Sequence, residues 1–274
     1  MSNPTVSIEH KEASRFGLAI DDLVNGLRMW RLWGRLGWSD VVQKYRRSLL
    51  GPFWLTASMA IMIVAMGLVY SQIFKVPLHE FMPFLCVGLM VWGLISTVLL
   101  EAGSLFTGSE SYIKQIRLPY SVYVLRFVWS KLITFAHNFV VYFAIILFFQ
   151  VNPGFASLFS IFGFALILLN SFFTSIYLGM ISARFRDIPQ IVASVVQILF
   201  FITPIIWKAN FLGKKAYFVT LNPFYHLVEI ARAPLLGELP STENYLMVIG
   251  LTCINAIIAL AFFSRFRSRI PYWV

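Results

Sequence analysis

Charge is what this sequence has least of. Only 12% of its 274 residues are Asp, Glu, Lys or Arg, while 59% are hydrophobic. Soluble chains run at about 25% charged and about 45–50% apolar. A water-facing surface needs charge to cover it and a lipid-facing one does not, so an ordinary soluble domain is excluded. Cysteine is nearly absent as well. Cys86 and Cys253 both lie inside apolar runs, have no metal-ligand spacing and read as small buried hydrophobes. Residues 1–11 contain no apolar h-region. No cleaved signal is expected, and the first spanning helix directs its own insertion.

Enzyme motifs are missing too. The sequence has no HExxH, no GxSxG and no paired carboxylates within an apolar run. Its Gly213-Lys214 pair lacks the earlier glycine and the Ser/Thr of a phosphate-binding loop. No cofactor is expected in this chain, and a cycle driven by ATP and magnesium needs a separate subunit to bind them. Ionisable groups are sparse within the apolar runs. Glu101 ends the second run, Lys131 lies in the third with room to snorkel, and His137 reads as a packed, hydrogen-bonded histidine. A charge at mid-membrane costs roughly 2.5–3.5 kcal/mol, so such scarcity argues against an ion-coupled carrier.

Long apolar runs are what the sequence does have. About 20 apolar residues in a helix cross the hydrocarbon core. Six stretches qualify: 53–74, 81–100, 124–149, 158–183, 191–207 and 245–263, the fifth being the shortest. The expected fold is all-α, a polytopic membrane protein with six transmembrane helices. Of the 22 Lys and Arg, seventeen fall on one side of this topology and five on the other. The richer side faces the cytoplasm, which puts both termini inside. The net charge of +10 is thereby explained by topology, and nucleic-acid binding is not needed to account for it. Residues 1–50 are expected to form a cytoplasmic tail and residues 51–274 the transmembrane domain.

Two further segments carry pattern. Over 21–44 the spacing predicts one amphipathic helix. Leu23, Leu27, Trp30 and Val41 share a face, with Arg28, Arg31 and Arg35 beside it. Basic residues next to Trp suit a helix lying in the cytoplasmic membrane interface, and Gly51-Pro52 then breaks the chain before the first span. In the long loop 208–244, Asn222 is an N-cap with Pro223 in the first turn. Phe224, Leu227, Val228 and Ala231 follow on one face until Pro234. This helix is too short to span and reads as an external re-entrant or interfacial element.

Polar residues, nearly all uncharged, line up within the runs. Lys131, Thr134, Asn138 and Tyr142 share a face of the third span, Asn170, Thr174 and Tyr177 of the fourth, and Gln190, Ser194, Gln197 and Phe201 of the fifth. Thr56, Gly67, Tyr70 and Phe74 lie on the first. Such stripes either hydrogen-bond helices together or line a path of hydroxyl, amide and aromatic groups that suits sugars. Periodicity does not choose between the two.

Several short motifs converge on one family. Arg46-Arg47-Ser48 and Leu50-Gly51-Pro52-Phe53-Trp54 precede and open the first span. Tyr112-Ile113-Lys114-Gln115 and Leu118-Pro119 follow the second. Arg186-Asp187-Ile188 follows the fourth, and Gln197, Phe200, Phe201, Thr203, Pro204 and Ile205 lie in the fifth. Asn222-Pro223-Phe224 and Leu236-Gly237 occupy the last external loop. In this order the chain resembles the membrane subunit of bacterial ABC exporters for O-antigen or capsular polysaccharide, an ABC-2 type membrane protein.

The resemblance implies a homodimer with two separate ATP-binding cassette subunits in the bacterial inner membrane, moving a lipid-linked polysaccharide outward. It also implies an interface helix carrying Arg28, Arg31 and Arg35. A cytoplasmic coupling helix would carry Ser109, Glu110, Tyr112, Ile113, Lys114 and Arg117, and an external gate Asn222, Pro223 and Phe224. The path would run along Tyr70, Asn138, Tyr142, Asn170, Tyr177, Gln197 and Phe201. No metal site and no catalytic residue is expected. Rival readings are the same architecture exporting teichoic acid, a lipid or a drug, and an ion-coupled carrier working alone.

Overall fold

The computed structural model describes residues 15–46, 53–215 and 217–274. The predicted break at Gly51-Pro52 and the motif residues Arg47, Ser48 and Leu50 lie outside them. Every regular element among the described residues is a helix, and none is a strand. In chain order the helices are α1 (Arg15–Arg28), α2 (Trp30–Tyr45), α3 (Phe53–Phe74), α4 (Leu78–Glu101), α5 (Glu110–Gln115), α6 (Tyr120–Phe148), α7 (Phe159–Arg184), α8 (Ile188–Ile202), α9 (Tyr217–Thr220), α10 (Pro223–Leu235), α11 (Thr242–Phe266) and α12 (Ile270–Trp273).

Five helical stretches are long and apolar enough to cross a membrane, built on α3, α4, α6, α7 and α11. α8 has 15 residues and falls short of that length. The expected fifth span, 191–207, is therefore helical only as far as Ile202. Thr203 is extended, and Pro204, Ile205 and Ile206 are buried without helical form.

α4 is the centre of the bundle. Of its apolar window 67% is buried, against at most 33% for the other four, and it packs on α3, α6, α7, α8 and α10. Apolarity on every side of a helix is what burial on every side requires. A second cluster around Phe106, Val124, Met180, Phe263 and Ile270 closes the end carrying α1, α5 and α12. Most Lys and Arg gather at this basic end.

α3 and α6 finish at the far end in the same way. Lys75 and Gln150 adopt φ 54° and 55°. Val76 N–H returns to the Ser71 carbonyl at 3.0 Å, and Val151 N–H to Ile146 at 2.9 Å. This is the Schellman closure, which satisfies the last carbonyls of a helix.

The predicted single amphipathic helix is two, broken at Met29. The expected apolar face divides: Val41 is buried and Leu23 half-buried against the second cluster, whereas Leu27 and Trp30 are exposed, and Ala19, Asp22 and Gly26 make the closest approach. Close approach of two helices needs small residues, not a leucine stripe. A Cβ on Gly26 would stand 2.0 Å from Ser121 Oγ, and one on Gly37 2.8 Å from the Arg126 carbonyl. Cys253 is exposed on α11, not buried, while Cys86 is buried as expected.

Candidate functional site

The basic end is built on two carboxylates. Asp22 lies 98 residues before α6 in sequence, yet it caps that helix. Its Oδ2 accepts from Tyr120 N–H at 3.1 Å, and its Oδ1 from Ser121 N–H at 3.0 Å and Ser121 Oγ at 2.9 Å. Pro119 precedes α6 and supplies no side-chain cap of its own. Free N–H groups at a helix start attract a carboxylate. Arg267 adds charge balance, 3.4 Å from Asp22, and donates to the Leu18 carbonyl. Asp40 on α2 holds Arg126 of α6 through two bonds, Nε to Oδ2 at 2.6 Å and Nη2 to Oδ1 at 2.5 Å. This fork-on-fork geometry is the strong form of the pair. Lys131 does not snorkel alone; it pairs with Glu101, which Lys44 also approaches at 3.8 Å.

Arg28, Arg31 and Arg35 all point away from the bundle. Trp30 and Trp38 are exposed near them, and Trp33 meets Trp129 of α6 edge-on at 6.0 Å. α1 and α2 thus dock through small and acidic residues and offer Arg and Trp outward, a layout suited to a membrane interface.

The residues predicted for coupling surround α5 at the same end. Glu110, Tyr112, Lys114 and Arg117 are exposed and Ile113 is half-buried. Ser109 is buried, and its hydroxyl donates to the Leu105 carbonyl at 3.0 Å, so it braces the turn instead of facing outward. Lys114 lies 2.6 Å from Glu110 and holds that carboxyl below its ordinary range, by hydrogen bond first and charge second. The Arg126 guanidinium sits 5.5 Å from the Tyr112 ring centre, so one arginine touches both α5 and α2.

The predicted path residues separate into three groups. Asn170, Tyr177 and Tyr142 bind helices together. Asn170 Nδ2 donates to Thr252 Oγ1, and Asn255 Nδ2 donates to Asn170 Oδ1, both at 2.7 Å. Tyr177 Oη reaches Asn255 Oδ1 at 3.2 Å, and Tyr142 Oη donates to the Leu235 carbonyl at 2.8 Å. The α7–α11 network borders a cavity of about 180 Å³ that Pro223 and Phe224 also line. Asn138 and Tyr70 are half-buried; Asn138 Oδ1 has no hydrogen-bond partner, and Tyr70 stacks on Phe74. Gln197 and Phe201 instead lie exposed on the outer face of α8 with Gln190 and Ser194, and Phe201 is 60% exposed.

The region expected to be a gate is a helix folded back into the bundle. Asn222 caps α10, its Oδ1 accepting from Phe224 N–H at 3.0 Å, and its Nδ2 donates to Thr203 Oγ1 at 2.8 Å. Pro223 begins the helix, and Phe224 meets Trp92 of α4 edge-on at 6.0 Å. Three residues that the sequence pattern did not single out hold this element. His226 lies between Asn244 Oδ1 at 2.7 Å and the Thr220 carbonyl at 2.8 Å. Arg232, only 3% exposed, donates to the Pro204 carbonyl at 2.7 Å and to Glu229 at 2.5 Å, and lies 4.2 Å from the Phe84 ring centre. Broken backbone inside a membrane bundle must find partners within the protein. Arg232 supplies one for the break after α8. The Glu229–Arg232 spacing of three residues was the available signal, since that spacing places the pair side by side on a helix.

Among the described residues, no group of three His, Cys, Asp or Glu side chains is placed to hold a metal ion. Two relatives carry the description "O-antigen export system permease protein RfbA". The protein from Klebsiella pneumoniae is 22% identical over 236 residues, covering 84% of this chain and 90% of that one. The protein from Myxococcus xanthus is 24% identical over 238 residues, covering 84% and 89%. Residues 31–236 match the ABC-2 type transporter family across the docked α2, the coupling region, the central α4 and the folded-back α10. A bundle of long apolar helices with that match along most of its length is a multi-pass membrane permease, and the chain belongs to the ABC-2 type transporter family.

Proposed function

We propose that this chain is the permease subunit of an ATP-driven exporter that moves a lipid-linked polysaccharide, of O-antigen or capsule type, across the bacterial inner membrane. The observation that carries the reading is similarity to O-antigen export permeases over 84% of the chain. The outer face of α8 supports it. Gln190, Ser194 and Gln197 project outward from an otherwise apolar helix. Such amides and hydroxyls are poor neighbours for lipid and good ones for a second copy or a glycan.

The working unit is a homodimer with two ATP-binding cassette subunits, which supply the ATP and magnesium sites. Residues 1–50 form the cytoplasmic interface region and residues 51–274 the transmembrane domain. Both termini are cytoplasmic, as the charge asymmetry requires. The fold has six crossings. α8 covers about 22 Å at 1.5 Å per residue. The run 203–207, buried as far as Ile206, completes its crossing, ending at Lys208, whose Nζ is 3.7 Å from Glu80. α5, with Tyr112, Lys114 and Arg117 outward, docks on the ATPase, and α1 and α2 carry the motion to α6. Asn222, Pro223 and Phe224 form the gate between path and exterior.

The test is the mass of the complex from its native host in mild detergent. Two copies of this chain plus two ATPase copies is the expected result. A homodimer that transports in vesicles without ATP would overturn the reading in favour of a secondary carrier. Path lining is tested separately. Gln197→Ala is expected to reduce polymer export at unchanged thermal stability, whereas Tyr177→Phe is expected to lower stability. Unchanged export in Gln197→Ala would remove α8 from the path.

A further inference from the structure

A cavity of about 250 Å³ opens at the basic end between α2, α6 and the turn after α4. Its wall holds three cations, Lys44, Arg126 and Lys131, and two carboxylates, Asp40 and Glu101, so its formal charge is +1. The carboxylates are already engaged. Asp40 takes two N–H groups of Arg126, and Glu101 takes Lys131 and Lys44. Two polar atoms are not engaged. Arg126 Nη1 and the hydroxyl of Tyr123, a residue only 3% exposed, are buried without a hydrogen-bond partner. Both residues line this cavity, three positions apart on one face of α6. A buried donor without an acceptor costs about 1–3 kcal/mol, more when it is charged. The site is therefore short of acceptors while carrying excess positive charge.

Depth narrows the ligand. The 29 residues of α6 make a helix of about 43 Å, against a hydrocarbon core of about 30 Å. The far end of α6 is apolar through Phe148, so the overhang of about nine residues falls at the basic end and contains Tyr123 and Arg126. That is the level of lipid phosphates.

We infer that this cavity binds the phosphate oxyanion of a lipid headgroup, with Arg126 Nη1 and Tyr123 Oη as donors and Lys44 at the rim. The oxyanion supplies the missing acceptors, and its charge meets the cationic excess. Two sources share this chemistry: an anionic phospholipid of the inner leaflet, and the phosphate of a lipid carrier. Ser109, immediately before α5, lines the same cavity, so an occupant touches the coupling region and α2 together.

Native mass spectrometry of the full-length protein in detergent reads the binding. The probes are dioleoylphosphatidylglycerol and farnesyl diphosphate, with dioleoylglycerol and farnesol as phosphate-free controls. Wild type is expected to retain at least one phosphate probe well above its control. Tyr123→Phe keeps the ring and removes one donor, and is expected to weaken retention about tenfold. Lys44→Gln is expected to weaken it less, and Lys208→Gln at the far end not at all. Retention of both phosphate probes with mutual competition supports a shared phosphate site. Retention of one alone supports the site and assigns its source. Retention no better than the controls, or unchanged by Tyr123→Phe at equal thermal stability, would show a cavity that holds water only and would overturn the inference. The assay involves no transport, so such a failure leaves the export reading untouched.

Discussion

Asp22→Ala should release α1 from α6, and the size of the effect can be worked from the contacts. The carboxylate accepts two backbone N–H bonds and one hydroxyl bond at the start of α6, and it balances Arg267. Loss of an N-cap costs about 0.5–2 kcal/mol, and hydrogen bonds to a charged group about 1.5–3 kcal/mol each. Water can replace part of this at Tyr120, which is half-buried, but less at Ser121, which is buried. A net loss of about 2–3 kcal/mol follows, or roughly a 30- to 140-fold rise in local opening. Hydrogen exchange of the Tyr120 and Ser121 amides, read by mass spectrometry on the detergent-solubilised protein, measures it directly. Exchange in the middle of α4 serves as the internal reference, because local opening leaves the buried core protected. Asp22→Asn keeps an acceptor and loses the charge, so it should fall between wild type and Asp22→Ala. If Asp22→Ala left both amides as protected as in wild type, the cross-chain cap would be wrong. If α4 lost protection to the same degree, the effect would be global and the local reading would fail.

Three other outcomes are expected. Arg232→Met should destabilise by about 2–3 kcal/mol, because it leaves the half-buried Glu229 without its cation and the Pro204 carbonyl without a donor; a melting temperature within two or three degrees of wild type, read as roughly 1 kcal/mol or less, would refute that. Gly163→Leu should push α10 off α7, since even a Cβ there would stand 2.4 Å from the Ile230 carbonyl; overpacking of about 1–3 kcal/mol is expected, and in a Cys253→Ser background the accessibility of an Ala231→Cys reporter, buried on α10, should rise with it. Glu110 should titrate below the ordinary carboxylate range. A lowered folded value means that its contribution to α5 is complete at neutral pH and is lost only as pH falls through that lowered value; Lys114→Gln should return the titration, followed by carboxyl NMR, to the ordinary range.

The sequence by itself determined the class of molecule. Apolar length is a local property, so the runs that became α3, α4, α6, α7 and α11 were legible without any contact, as were the Asn222-Pro223 helix start and the amphipathic segment before the first span. Side-chain period told which residues share a face, and it grouped Asn170 with Tyr177 correctly. It could not say what that face meets. Tertiary structure decided that these two bind α7 to α11 while Gln197 and Phe201 face outward. It also decided that α1 and α2 dock through Ala19, Asp22, Gly26 and Gly37 and leave Leu27 and Trp30 exposed. The partners of Asp22, Asp40 and Arg232 lie 98, 86 and 28 residues away along the chain. A hydrogen bond acts over about 3 Å of space and is indifferent to separation along the chain, so only the folded path could bring those groups together.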